Sequence, residues 1–231
     1  MTGLVINIAV AAALFVGAHF LLSSQPIRAR LTQRLGQTLF LVLYSVVALT
    51  ALVWMLWAYA HAPLVSLWPQ TAWSRWVPFV TMPVAMILLV CGAPARNPST
   101  VGQERYLGVA DPVPGILKVT RHPVMWSIAL WAISHIPANG DVASFILFSS
   151  FALLALAGAA HIDRRRARAN PEEWGRFAAL TSYLPFAAII AGRTKVRPGD
   201  IGWKLPVVAL LAYTALLYLH SWLIGVSAWP A

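Results

Sequence analysis

The sequence predicts an all-α integral membrane protein, a polytopic bundle of about six transmembrane helices whose N-terminus lies outside. Composition is the first reason, because 59% of the residues are hydrophobic and only 10% are charged, against about 25% charged residues in a soluble domain. The order of the charges is the second. All of the 17 Lys and Arg residues except Arg75 lie in three loops, which alternate with loops almost free of positive charge. The positive-inside rule places those three loops in the cytoplasm and both chain ends outside.

Long apolar runs define the expected spans, because a transmembrane helix needs about 20 mainly apolar residues. The runs cover residues 3–22, 37–60, 76–93, 123–138, 142–160 and 205–226 within a single domain, 1–231. As a helix, the fourth run is shorter than the ~30 Å hydrocarbon core. It must nevertheless cross if the basic loop after residue 160 is to face the cytoplasm. Residues 181–192 are too short to span, so we expect them at the interface or packed beneath the bundle.

The formal charge of +10 raises the question of a nucleic-acid partner. The positive residues flank apolar segments, where helix orientation and anionic headgroups account for them. We therefore expect the lipid bilayer as the partner, and no nucleic acid. The single cysteine, Cys91, excludes an internal disulfide and a Cys-x-x-Cys metal site.

The histidines are the main candidates for a functional site, because an ionisable group at membrane depth needs a partner or a ligand. The topology sorts them into two layers. The inner layer contains His19, His122 and His161, and the outer layer contains His61, His135 and His220. Two axial ligands of one cofactor must come from different helices at the same depth. His19 with His122 meets this requirement best, and His61 with His135 is the second option.

The tetrapeptide Thr120-Arg121-His122-Pro123 is the sharpest local motif. Proline suits the first position of a helix and disfavours the helical conformation of the residue before it, so the motif predicts a helix N-terminus facing the cytoplasm. Free backbone N–H groups, the helix dipole and Arg121 together predict an anion site there. A haem propionate, a carboxylate or a phosphate would suit it. The alternative is an ordinary helix start with Arg121 among lipid headgroups.

Four segments resemble the NnrU family of bacterial membrane proteins. They are GAHFLLSSQPIRARL (17–31), LGQTLFLVLYSVVAL (35–49), GILKVTRHPVMWSIALWAISHIPANGD (115–141) and TSYLPFAAIIAGR (181–193). The resemblance implies a bacterial inner-membrane location and a link to nitrite and nitric oxide metabolism. The family is also similar to the plastid isomerase of 15-cis-zeta-carotene, which uses haem b with histidine ligands. By that similarity His19 and His122 would ligate the iron, and His61 and His135 are alternative ligands.

Three functions follow as expectations. The first is a haem b membrane protein with Arg121 near a propionate, acting on nitrogen oxides or as a haem-dependent isomerase of a hydrophobic substrate. The second is a non-enzymatic factor that assembles or regulates respiratory or denitrification membrane proteins. The third is an enzyme similar to the isoprenylcysteine methyltransferases, with S-adenosylmethionine held by Arg121, His122 and Glu172 or Glu173. The tyrosine that usually follows the Arg-His-Pro motif in those enzymes is missing here.

Overall fold

The bundle is all-helical in its regular elements, as predicted. The computed structural model describes residues 2–100, 102–108, 113–197 and 199–230. The helices are α1 (Thr2–Ser23), α2 (Gln25–Ala60), α3 (Ala72–Gly92), α4 (Pro123–Asn139), α5 (Val142–Ala169), α6 (Pro171–Leu180), α7 (Ala187–Ile190) and α8 (Lys204–Ile224). Two short 3₁₀ turns, Glu104–Tyr106 and Gly115–Lys118, lie between α3 and α4. The prediction of a polytopic helical membrane bundle is confirmed.

Among the described residues, five helices are long and apolar enough to cross a membrane. They are Gly3–Ser23, Gln25–Ala60, Ala72–Gly92, Val142–Ala169 and Lys204–Ile224. The fourth predicted span, α4, has only 17 residues and extends about 25 Å. Its two ends nevertheless contact opposite ends of the bundle. The N-terminal end meets the charged C-terminal part of α5 through His122 and Asp163, and the C-terminal end meets the α2–α3 loop through Gly140.

The basic segment 23–36, expected to be a loop, is helical instead. Pro26 stands in the first turn of α2, where its missing N–H costs nothing, and the residues that follow are mostly good helix formers. Gly36 interrupts the helix with φ +78° and ψ 163°, a conformation that glycine adopts without a steric penalty. Residues 25–35 therefore form a separate helical arm before the predicted span at 37–60. The same propensity carries α5 past residue 160 to Ala169.

Helix α5 lies at the centre of the packing. It contacts α4 on one side, α1 and α2 on the other, and α6 at its C-terminal end, while α3 packs between α4 and α8. Apolar side chains fill the space between α1, α2 and α5, with Ile8, Met55 and Leu147 among the buried ones. Helices α3 and α4 approach closely because Gly92 has no side chain. A Cβ atom there would lie 2.7 Å from Cγ of Pro123.

A tight turn between α4 and α5 closes the end of the bundle opposite the charged C-terminal part of α5. Gly140 adopts φ +70° and ends α4, and the Asp141 side chain accepts a hydrogen bond from the Ser144 N–H as the N-cap of α5. The Gly140 carbonyl accepts a hydrogen bond from the Leu67 N–H at 2.8 Å. Asp141 forms a β-bridge with Ser66. The α2–α3 loop and the α4–α5 turn therefore meet at one end, as the alternation of loops requires.

Candidate functional site: a polar cluster beside an apolar cavity

A carboxylate on α5 binds two side chains of the Arg-His-Pro motif. Oδ1 of Asp163 lies 2.6 Å from Nε2 of His122. Oδ2 of the same carboxylate accepts from Nε of Arg121 at 2.8 Å and lies 2.7 Å from its Nη2. The His122 side chain is only 2% exposed, and those of Arg121 and Asp163 are each 14% exposed. This arrangement is a nearly buried, charge-assisted network that fastens the start of α4 to α5.

The local chain conformation turns this motif inward. His122 precedes Pro123 and has the non-helical angles φ −124° and ψ 53°, as expected before a proline. The segment after α6 packs against the motif: the Ser182 carbonyl accepts a hydrogen bond from the Arg121 N–H at 2.9 Å. The carbonyl of Tyr183 accepts another from Oγ1 of Thr120, also at 2.9 Å. The apolar segment 181–192 therefore packs beneath the bundle, one of the two positions expected for it.

The anion that this helix start meets in the structure is an internal one. The sequence suggested a propionate, carboxylate or phosphate beside Arg121, and the partner present is the carboxylate of Asp163. Sequence reasoning missed Asp163 altogether. The sequence contains one sign of its importance, because Asp163 is the one acidic residue in the basic run HIDRRRARA. An acidic residue at this place does not help to orient the helix, which positive charges do. Glu172 and Glu173 lie in the first turn of α6, outside this network.

A largely apolar cavity of about 490 Å³ lies next to this cluster. Its lining comes from α1, α2, α4 and α5. Aromatic and aliphatic side chains form most of the wall, including Phe15, Phe40, Ile128, Phe151 and Leu154. The polar lining residues are His19, Ser23, Arg28, Tyr44, Ser45, His161 and Arg165. His122 is not among the lining residues, although Met125, one turn further along α4, is.

His19 is held in one tautomer by its own helix. Its Nδ1 lies 2.6 Å from the Phe15 carbonyl oxygen, which can only accept, so in the neutral imidazole Nδ1 carries the proton and Nε2 keeps a free lone pair. The ring packs edge-to-face on Phe15 at 4.7 Å and on Tyr44 at 5.6 Å between centroids. His19 is therefore a half-buried imidazole in the cavity wall with one nitrogen available for a ligand.

Two of the three outer histidines repeat this arrangement away from the cavity. Nδ1 of His61 lies 2.8 Å from the Trp57 carbonyl, and Nδ1 of His135 lies 2.7 Å from the Trp131 carbonyl. His61 is exposed at the end of α2, whereas His135 is half-buried on α4. Among the residues with described positions, no hydrogen bond or ring contact joins these two. The pairing of His61 with His135 at one cofactor stays a prediction.

The two members of the inner pair differ in their contacts. His19 lines the cavity and binds the Phe15 carbonyl through Nδ1, whereas His122 uses Nε2 to bind Asp163. Their pairing at one cofactor stays a prediction. The second histidine that shares the cavity with His19 is His161, whose Nε2 lies 3.2 Å from the Ser23 carbonyl. Within the described ranges, no group of three or more His, Cys, Asp or Glu side chains forms a metal cluster.

The family model described as "NnrU protein" matches residues 7–228. The chain belongs to the NnrU family. It is also similar to the chloroplast 15-cis-zeta-carotene isomerase of Arabidopsis thaliana, with 36% identity over 104 residues, which are 44% of this chain and 28% of the plant protein. The Zea mays protein of the same name is 36% identical over 109 residues, or 45% of this chain and 29% of that protein. The matches thus cover less than a third of either plant protein. No solved structure matches the chain.

Proposed function

We propose that this chain is a haem b-binding membrane protein and that the cavity between α1, α2, α4 and α5 holds the haem. The observation that carries the proposal is His19, an imidazole whose Nδ1 is fixed by the Phe15 carbonyl and whose Nε2 is free beside an apolar cavity. A hydrogen bond from the second ring nitrogen is the usual support of a metal-ligating histidine. Nε2 of His19 would hold the haem iron.

The rest of the cavity also suits a macrocycle. Its volume of about 490 Å³ lies in the range of small-molecule sites, which are mostly apolar with a few placed polar groups. The rings of Phe15, Phe40 and Phe151 in its wall would exclude water from the iron and pack on the porphyrin. When bound, haem would supply an iron centre whose ligation depends on its redox state.

The proposed activity is isomerisation of a long apolar substrate at the bound haem. The similarity to the plant 15-cis-zeta-carotene isomerases supports an apolar polyene as the substrate class. In this role the residues of the chain would orient His19 and exclude water. A link to nitrite or nitric oxide metabolism is part of the same proposal, and it predicts that nitric oxide changes the absorption spectrum of the reduced protein.

The Arg-His-Pro motif would act on the cavity through the helices. Asp163 fastens α4 to α5, and both helices supply cavity wall, so the ion pair would set the spacing of the wall. His122 is then a positioning residue. The sequence-based alternative, with His122 as the second iron ligand, requires its Nδ1, since Nε2 binds Asp163.

The test is the absorption spectrum of the purified protein after expression with ample haem, in both redox states. We expect a Soret band in the wild type, its loss in His19→Ala, and its retention in the matched control His220→Ala. His122→Ala should weaken haem binding without changing the axial ligation seen by electron paramagnetic resonance. A wild-type protein without a Soret band refutes the proposal. An unchanged band in His19→Ala, lost instead in His122→Ala, moves the ligand to the second residue.

A further inference from the structure

Two arginines line the inner end of the cavity, and in the described part of the chain no carboxylate binds either of them. Glu104 attracts Arg165 but binds Arg166 instead. Arg28 lies in the helical arm 25–35 and Arg165 lies on α5, and both are half-buried. The neighbouring arginines differ, because Arg121 binds Asp163 and Arg166 binds Glu104. Within the described part of the chain, the guanidinium groups of Arg28 and Arg165 form no salt bridge or hydrogen bond.

This arrangement is unfavourable unless an anion joins it. Two like charges that share one partly buried site repel each other, and burial penalises each of them further. Arg28 is held there nonetheless, because its guanidinium lies 5.2 Å from the centre of the Phe40 ring, at the distance of a cation–π contact. Guanidinium groups bind carboxylate and phosphate oxygens through two parallel hydrogen bonds. The cavity is therefore prepared for an anionic group at this end.

The rest of the lining defines the other part of the ligand. Beyond Arg28 and Arg165 the wall becomes aromatic and aliphatic through Phe40, Phe151 and Leu154. We propose that Arg28 and Arg165 form an anion clamp, which binds the carboxylate or phosphate head of an amphiphile whose apolar body fills the cavity. Where the ligand is haem, the clamp rests on the proposed function and extends it. The two propionates of haem b are anionic heads of this kind.

The first experiment compares haem b with its dimethyl ester, which lacks both carboxylates. Each is titrated into protein in phosphatidylcholine nanodiscs, and binding is followed by absorbance. The double variant Arg28→Gln/Arg165→Gln is compared with Arg30→Gln/Arg34→Gln, which removes the same charge from exposed positions on the same arm. We expect haem b to bind about tenfold more weakly for each clamp arginine removed. The clamp substitutions should not change the affinity for the dimethyl ester, and the control variant should bind haem b as tightly as the wild type does.

The second experiment uses a ligand that is not haem, so that the clamp and the haem proposal can fail separately. The fluorescent polyene cis-parinaric acid is titrated against its methyl ester. If the wild type binds neither haem b nor its ester, the haem proposal is wrong. The comparison of cis-parinaric acid with its methyl ester still tests the clamp. Equal binding of acid and ester by the wild type in both experiments overturns the clamp, as does a clamp variant that behaves like the control. If the Gln double variant binds neither ester, Arg28→Lys/Arg165→Lys replaces it. The Lys variant keeps the charge but not the paired hydrogen bonds, so its affinity for the two acids should fall between those of the wild type and the Gln variant.

Discussion

Replacing Asp163 with alanine tests the network that joins α4 to α5. The carboxylate contacts His122 at 2.6 Å and two nitrogens of Arg121 at 2.7 and 2.8 Å. Its removal leaves a guanidinium that is only 14% exposed without a counter-ion. Loss of one partner from a buried pair costs about 3–5 kcal/mol. Because the pair retains some contact with solvent, we expect about 3 kcal/mol, a fall of about 100-fold in the ratio of folded to unfolded protein.

The assay is reversible unfolding in mixed micelles, followed by circular dichroism, for a set of matched variants. Asp200→Ala removes a more exposed partner, which binds Lys118 at 2.8 Å, and should change stability much less. The double variant Arg121→Met/Asp163→Ala removes both charges and should recover part of the loss, because no unpaired ion remains. The reasoning is refuted if Asp163→Ala is as stable as the wild type, or if the double variant is no more stable than Asp163→Ala.

Three further predictions concern individual positions. Gly140→Ala should destabilise the protein by about 1–3 kcal/mol, because φ is +70° and the new Cβ would lie 2.6 Å from the Trp68 carbonyl oxygen. Gly225→Ala is the control in the same unfolding assay. Its φ is +85° and its surroundings are open, so it measures the backbone strain alone. Thr120→Val should cost about 1–3 kcal/mol in chemical denaturation, since it removes the buried hydroxyl that binds the Tyr183 carbonyl; an unchanged midpoint would contradict this. Burial raises the pKa of Glu104, but its backbone hydrogen bond and the Arg166 guanidinium outweigh that and hold the pKa below the ordinary 4.5. The stabilisation by Glu104 is therefore complete above pH 4.5 and lost as the pH falls through the lowered value, so the stability gap between wild type and Glu104→Gln should close in acid; a gap independent of pH would count against it.

Sequence reasoning predicted the architecture because apolar runs and charge order report directly on the membrane. It also selected His19 as an ionisable group at membrane depth; the structure places this residue in the cavity wall, and its role as a ligand stays a prediction. The helical arm 25–35 differs from the loop that the sequence predicts. Its polar residues exclude it from a membrane span, but they still form a helix, which Gly36 separates from the span. In these cases a local pattern carried the information, or concealed it.

The remaining parts of the site depend on contacts between distant residues. Asp163 meets Arg121 and His122 across about forty positions, and a single sequence contains no sign of that pairing. Arg28 and Arg165 were read only as charges that orient helices, which is the commonest role of arginine beside a membrane span. Burial and the lack of a counter-ion distinguish them, and both are properties of the folded chain.

Three histidines of the bundle share a hydrogen-bond arrangement that lies within a single helix. His19, His61 and His135 each follow an aromatic residue by four positions, and each turns Nδ1 to the carbonyl of that residue. A one-turn sequence unit is thus enough to present a lone pair on Nε2, with no help from a neighbouring helix. Two substitutions could install such a donor on any inward-facing turn, so a bundle of this kind can relocate a coordinating nitrogen without rebuilding its packing.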